Sequence, residues 1–189
     1  MERRTHKKNL RQEILQKRNN LTKNQHFEMS SQISEHISNF IRDKGIEVIF
    51  SYAPTRKEPN ISSLSHSKRP FALPAIRENF SMDFYLWKPE HPLEPNHFEI
   101  LEPIDKHSHL VYPNEKTLII TPSLAISLQG ERLGYGAGFY DRYFSKHPLG
   151  IKMGCCFSSE VQSHLQSEKH DIPLDYIATE KGIKEAMAQ

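Results

Sequence analysis

Thr117-Leu118-Ile119-Ile120-Thr121 is a β-branched run whose apolar side chains fall on both faces of a strand. Such a strand needs cover on both sides, as at the centre of a parallel sheet packed between helices. The rest of the chain supplies partners for that layout. Residues 47–52, 71–73 and 82–87 have strand character, with Pro54 and Pro74 closing the first two. Residues 124–128, 151–157 and 176–179 are further candidates. The proline-rich stretch 88–116 reads as connecting loops with a short strand at 98–101. Residues 5–18 predict a helix with Leu10, Ile14 and Leu15 on a thin apolar stripe. Thr22 and Gln25 have capping-box spacing, and Met29, Ile33, Ile37, Phe40 and Ile41 follow at helical intervals until Gly45. Residues 138–147 predict another helix. The expected fold class is α/β, a three-layer αβα sandwich with a mostly parallel sheet, formed as one domain over residues 1–189.

Composition narrows the function. The longest unbroken apolar run is four residues, 84–87, against the ~20 that a membrane-spanning helix needs. No apolar segment follows the charged N-terminus, which reads against a secretory signal. The only two cysteines, Cys155 and Cys156, are adjacent and read as reduced packing residues, so a cytoplasmic location is expected. The net charge of +2 conceals an asymmetry: residues 1–18 carry +5 and the remainder −3. A basic end calls for an anionic partner, whether nucleic acid, acidic membrane or phosphorylated small molecule.

Four of the eight glycines lie between residues 130 and 138, at a strand-to-helix junction. Glycines there let N–H groups converge on one point, and the helix start adds its positive end, an arrangement suited to phosphate or carboxylate. Arg132 and Arg142 would add forked contacts, and Asp141 a carboxylate for a cation beside a phosphate. The segment lacks the Gly-Lys-Ser/Thr ending of a P-loop, and its Gly-x-Gly-x-Gly spacing is not the dinucleotide fingerprint. A tight turn without a ligand is the alternative. Lys7 and Arg11 share a helix face that could clamp phosphates, and Lys8, Arg11 and Arg18 roughly share a neighbouring one; a solvated charged face is the alternative. The segment from Tyr52 to Glu58 leaves a strand end, where α/β proteins place ligand loops. Tyr52 offers a ring for stacking, and Glu58 an acceptor for the N–H donors of a heterocycle. Asp171 and Asp175 flank a turn fixed by Pro173, and either could serve a metal, a cap or a salt bridge. His170 reads as a structural hydrogen-bonder, and His107 and His109 as loop histidines without a ligand set.

The stretch from Arg132 to Arg142 resembles the glycine signature of the 5-formyltetrahydrofolate cyclo-ligase (methenyltetrahydrofolate synthetase) family. Lys7-Lys8-Asn9-Leu10-Arg11, Tyr52 and Pro54 with Glu58, Leu73-Pro74, Met82-Asp83-Phe84, Ile100-Leu101-Glu102-Pro103 and residues 170–175 are similar to its other motifs. Their order holds from about residue 7 to 182. The resemblance implies a fold akin to sugar-phosphate isomerases and CoA transferases. It implies conversion of 5-formyltetrahydrofolate to 5,10-methenyltetrahydrofolate with ATP and Mg²⁺, releasing ADP and phosphate. Under it, Lys7, its neighbour Lys8, and Arg11 meet the nucleotide phosphates. Arg132, Leu133, Gly134, Tyr135, Gly136, Ala137, Gly138, Phe139 and Tyr140 form the phosphate loop. Tyr52, Glu58, Tyr135 and Phe139 meet the folate, and Asp141 and Asp171 are the magnesium-linked acids. Arg132, Tyr140 and Asp141 would carry catalysis by positioning and charge neutralisation. The expected partner is a reduced folate, with neither nucleic acid nor membrane, and the expected state a monomer.

Three positions depart from the family pattern. Ala137 stands where members carry lysine or glycine, Phe139 where most have tyrosine, and Ser127 where an aspartate is usual, a loss expected to relax the loop. Two further readings follow: a nucleic-acid-binding module built on the basic helix, or a catalytically degenerate folate binder.

Overall fold

The computed structural model describes residues 2–77, 80–104, 109–168 and 170–187, with side chains from residue 5. His107 lies outside the described residues. Two helices open the chain, α1 (Glu2–Asn20) and α2 (Lys23–Asp43). Thr22 and Gln25 close the expected capping box: Gln25 N donates to Thr22 Oγ1 at 3.2 Å and Thr22 N to Gln25 Oε1 at 3.0 Å. The principal strands are β1 (Val48–Phe50), β2 (Phe71–Ile76), β3 (Met82–Leu86), β7 (Thr117–Pro122), β10 (Ile151–Cys155) and β12 (Tyr176–Thr179). With β6 (Leu110–Val111) and β13 (Gly182–Glu185) they form one sheet, ordered β13-β12-β10-β7-β1-β2-β3-β6. The β1–β2, β1–β7, β7–β10 and β10–β12 pairs are parallel, and the three outer pairs are antiparallel.

The Thr117–Thr121 run is central, as its two apolar faces demand. Leu118 and Ile120 join Ile49, Met153 and the α2 residues Ile33, Ile37 and Ile41 in one buried cluster. Ile119 points the other way, with Phe50, Phe84 and the helix α3 (Phe139–Lys146) residues Tyr143 and Phe144. Each such side chain contributes ~1.5–3 kcal/mol on full burial. Helix layers on both faces give the αβα sandwich.

Several elements differ from expectation. β2 runs through Pro74 to Ile76. Ala72 O accepts from Ser51 N of the β1 side, whereas Phe71 O accepts from Trp87 N of the β3 side. By alternation Pro74 N faces the β1 side, where β1 has already ended, so its missing donor breaks no ladder bond. The strand expected at 98–101 is instead β5 (Leu101–Pro103), paired with β4 (Leu93–Pro95) in a separate hairpin. Residues Ala125–Ser127 form β8, which lies outside the main sheet, between β9 (Arg132–Leu133) and β11 (Val161–Gln162).

That small sheet decides where α1 goes. Ile14 packs with Leu124, Ala125, Leu133 and Leu165, flanked by Leu10, Leu15 and Tyr135. The apolar stripe therefore holds the basic helix against the start of the glycine loop. Arg18, counted among the surface cations from sequence, is 1% exposed. Its Nε and Nη2 grip Glu160 at 2.6 and 2.8 Å, and Nη2 also donates to Ser123 O at 2.6 Å. Lys17 pairs with Glu13 at 2.7 Å. Arg18 is thus engaged inside the molecule and Lys17 in an exposed pair, so neither is a free cation for a polyanion. Ser127, read as a loosening substitution, is a buried turn-former: its Oγ accepts from Gln129 N and Glu131 N at 3.2 and 3.1 Å.

Candidate active site

A cleft of about 1050 Å³ opens at the carboxyl ends of β1, β2 and β7, reaching Tyr52, Ile76 and Pro122. Open α/β sheets place ligands at this edge. One wall is α1 with the glycine loop, another the loop after β1, and a third the β4–β5 hairpin. The residues that the family resemblance assigns to the site line it: Lys7, Lys8, Arg11, Tyr52, Glu58, the run from Arg132 to Asp141, and Asp171.

The glycine loop gets its shape from Gly136 and Gly138, at φ 105° and 67°, where a side chain would be strained. Gly138 caps α3, whose first-turn N–H groups lack helical acceptors and carry the positive end of the dipole. Arg11 Nε donates to Gly134 O at 2.8 Å and pins the loop to α1. Arg142, expected to reach an anion, instead donates to Phe80 O at 3.1 and 2.7 Å and to Ala137 O at 2.7 Å. It clasps the loop from outside the cleft.

Arg132 is held deep in the site. Its side chain is 6% exposed, Nη2 donates to Asp141 Oδ1 at 2.9 Å, and the guanidinium lies 5.3 Å from the Tyr140 ring centroid. Its Nη1 is buried and has no hydrogen-bond partner among the described residues. A buried unpaired donor in a cleft is a place for a ligand oxygen. Asp141 Oδ1 also accepts from Ile172 N at 3.2 Å. Burial raises the Tyr140 hydroxyl pKa, so it stays a proton donor. On the facing turn, Asp171 Oδ2 accepts from Glu168 N at 2.8 Å and lies 3.8 Å from Lys7 Nζ. Lys7 is thereby the half-buried lysine at the cleft, while Lys8 is exposed. Asp175 is structural: its Oδ2 accepts from Lys152 N at 2.7 Å, outside the cleft.

Glu58 is only 3% exposed. Its Oε2 accepts from Thr55 N at 2.8 Å and Thr55 Oγ1 at 3.3 Å. Burial pushes its carboxyl above the usual carboxylate range, with Thr55, Arg18 and Tyr135 pulling it part of the way back. Tyr52 is not a freely exposed stacking ring. It is 3% exposed in the core, and its hydroxyl donates to Pro59 O at 2.7 Å, fixing the turn that carries Glu58. His26 Nε2 meets Glu58 O at 2.9 Å from α2.

The hairpin wall was not assigned a role from sequence. Phe98 projects into the cleft mouth, with its ring 6.3 Å edge-on from Phe139. Glu102 is buried and accepts from Ile76 N at 2.7 Å and Asn96 Nδ2 at 2.6 Å, tying the hairpin to the end of β2. The available signal was the Asn96 turn set between Pro95 and Pro103.

A deep cleft at the sheet's carboxyl edge, walled by a glycine loop, a helix N-terminus and the buried Arg132 side chain, defines an α/β enzyme of the anion-handling kind. The comparisons narrow the class. The model of the 5-formyltetrahydrofolate cyclo-ligase family matches residues 3–180, and the chain belongs to that family. It is 29% identical over 174 residues to the 5-formyltetrahydrofolate cyclo-ligase of Haemophilus influenzae, covering 87% of this chain and 92% of that one. It is 28% identical over 179 residues to the Escherichia coli K12 protein of the same name, covering 88% and 96%. The solved structure of Aquifex aeolicus 5,10-methenyltetrahydrofolate synthetase superposes with a TM-score of 0.82 at 27% identity, covering 97% of this chain and 94% of that one.

Proposed function

We propose that this chain cyclises 5-formyltetrahydrofolate to 5,10-methenyltetrahydrofolate, with ATP converted to ADP and phosphate. The observation that carries this reading is the joining of two recognition surfaces in one cleft. The phosphate loop with Arg11 and Arg132 suits a nucleotide, and the buried acceptor Glu58 suits the N–H donors of a reduced pterin.

A formamide oxygen is a poor leaving group. Its attack on the γ-phosphorus forms an O–P bond, breaks the bond to ADP and turns that oxygen into part of a phosphate. N10 then attacks the formyl carbon, and phosphate departs with the former formyl oxygen and the N10 proton. No protein nucleophile is needed; the residues position the reactants and balance charge. Lys7 and Arg11 steer the polyphosphate, the glycine-loop N–H groups cradle it, and the open Nη1 of Arg132 takes a transferring phosphoryl oxygen. Tyr140 donates beside Arg132, and Glu58 orients the pterin.

Asp141 and Asp171 fit magnesium, since both are hard oxygen donors in the cleft and Mg²⁺ takes one or two carboxylates with phosphate and water. Among the described residues no set of three or more His, Cys, Asp or Glu side chains gathers to hold a metal. That suits an ion whose other ligands come from the nucleotide. When bound, it would neutralise phosphate charge.

A cytoplasmic location completes the reading. Cys155 and Cys156 are free and buried, and burial pushes the Cys155 thiol up to about 12, the state of unreactive packing residues. No helix among the described residues is long and apolar enough to cross a membrane.

The test is the purified protein with ATP, Mg²⁺ and 5-formyltetrahydrofolate, followed by the ultraviolet absorbance of the methenyl product. Product formation that requires ATP is expected; folded protein that binds ATP without turnover would instead favour the degenerate folate binder.

Glu58→Gln separates stability from activity. A carboxyl whose pKa is raised by burial contributes stability below its unfolded value and loses it as pH rises through the folded value. Glutamine does not titrate and keeps an acceptor for Thr55. The variant is therefore expected to melt above wild type at neutral pH, with the gap closing as pH falls. Its kcat/KM is expected to drop roughly 10- to 100-fold, the worth of a charge-assisted hydrogen bond. Equal melting curves across pH, or full activity, would remove Glu58 from this role.

A further inference from the structure

We infer that Arg56 is an additional catalytic residue, an arginine that closes on the phosphoryl group in transfer from the wall opposite the glycine loop. The inference rests on the proposed ATP-dependent reaction. Arg56 lines the cleft and is exposed, and its guanidinium carbon lies 5.0 Å from the ring centroid of Tyr135 in the glycine loop. Among the described residues that guanidinium has no hydrogen-bond or ion-pair partner, so its forked donors remain open to an anion. Arg11 and Arg132 each spend donors on Gly134 O and Asp141.

The backbone carrying Arg56 is held in place at a cost. Arg56 and Lys57 both sit in the left-handed region, at φ 46° and 54°. Successive non-glycine residues there are strained, and such strain persists where surrounding contacts impose it. Those contacts are present on each side. Thr55 is bonded to Glu58 Oε2, and Lys57 Nζ donates to Asn19 O and Leu21 O at 2.9 and 3.0 Å, at the end of α1. The loop thus fixes Arg56 two residues from the buried Glu58 and directly over the phosphate loop.

That position corresponds to the meeting point of the two substrates. Glu58 marks the pterin and the glycine loop marks the γ-phosphate, so the formyl oxygen and the phosphorus meet between them. While the O–P bond forms and the bond to ADP breaks, charge spreads over the phosphoryl oxygens, where an arginine acts most strongly. Stacking on Tyr135 pre-orients the planar fork, which a lysine cannot reproduce.

The experiment compares wild type with Arg56→Gln and Arg56→Lys. It measures turnover with both substrates varied, and ATP binding by calorimetry. The inference predicts a kcat ~10²- to 10³-fold lower in Arg56→Gln, smaller but incomplete recovery in Arg56→Lys, and ATP affinity and folate KM within a few fold of wild type. Unchanged kcat would overturn it. So would a loss confined to folate KM, which would mark Arg56 as holding a folate carboxylate. A wild type without turnover would refute the proposed reaction itself, a result distinct from either outcome in the variants.

Discussion

Arg18→Met is expected to destabilise the protein by ~3–5 kcal/mol, because it strands the Glu160 carboxylate in the core. Arg18 and Glu160 are 1% and 2% exposed and joined by two hydrogen bonds. Glu160 Oε2 also accepts from Phe157 N at 2.9 Å, so the carboxylate is built into the turn after β10. For a chain of this size the loss corresponds to a melting temperature lower by ~6–20 °C. Arg18→Met combined with Glu160→Gln is expected to recover part of it, since no charge is then left without a partner. Thermal unfolding of the three proteins decides the matter. A loss under ~1 kcal/mol is what a surface cation would give, and would contradict the burial of Arg18. The pair joins the end of α1 to the turn after β10, so the same contact fixes the helix that brings Lys7 and Arg11 to the cleft.

The second large effect is kinetic. Arg132→Lys is expected to lower kcat by ~10²- to 10³-fold, the usual consequence of removing one preorganised donor to developing charge. Arginine satisfies Asp141 through Nη2 and still presents Nη1. A lysine ammonium, a single point of charge, cannot reproduce that geometry. Folate KM is expected to stay near wild type, because Glu58 and the hairpin lie on other walls of the cleft. Activity within a few fold of wild type, in protein whose melting curve is unchanged, would remove Arg132 from phosphoryl transfer.

What could be read from the sequence follows from how local each signal is. The Thr117–Thr121 run had to be central because alternation places Leu118 and Ile119 on opposite faces, and each found its own cluster. The capping box lies within four residues and is complete. The glycine loop was legible because positive φ at a strand-to-helix turn calls for glycine. Non-local features were hidden. Arg18 sits in a charge run, and the acid that draws it inward is 142 residues away. Arg142 looked like an anion ligand until the fold brought Phe80 O to it. Ala125–Ser127 has the same character as a main-sheet strand, and only its pairing with Arg132–Leu133 and Val161–Gln162 reveals that it belongs to another sheet. Tyr52 could face cleft or core by composition alone, and its hydroxyl chose Pro59.

The central claim is that the formyl oxygen becomes a phosphate oxygen. It is tested most directly by a single turnover of 5-formyltetrahydrofolate carrying a heavy oxygen isotope in the formyl group, with the released phosphate analysed by mass spectrometry. The account predicts that the label appears in inorganic phosphate in proportion to methenyl product and ADP. Label recovered in water, with unlabelled phosphate, would contradict it.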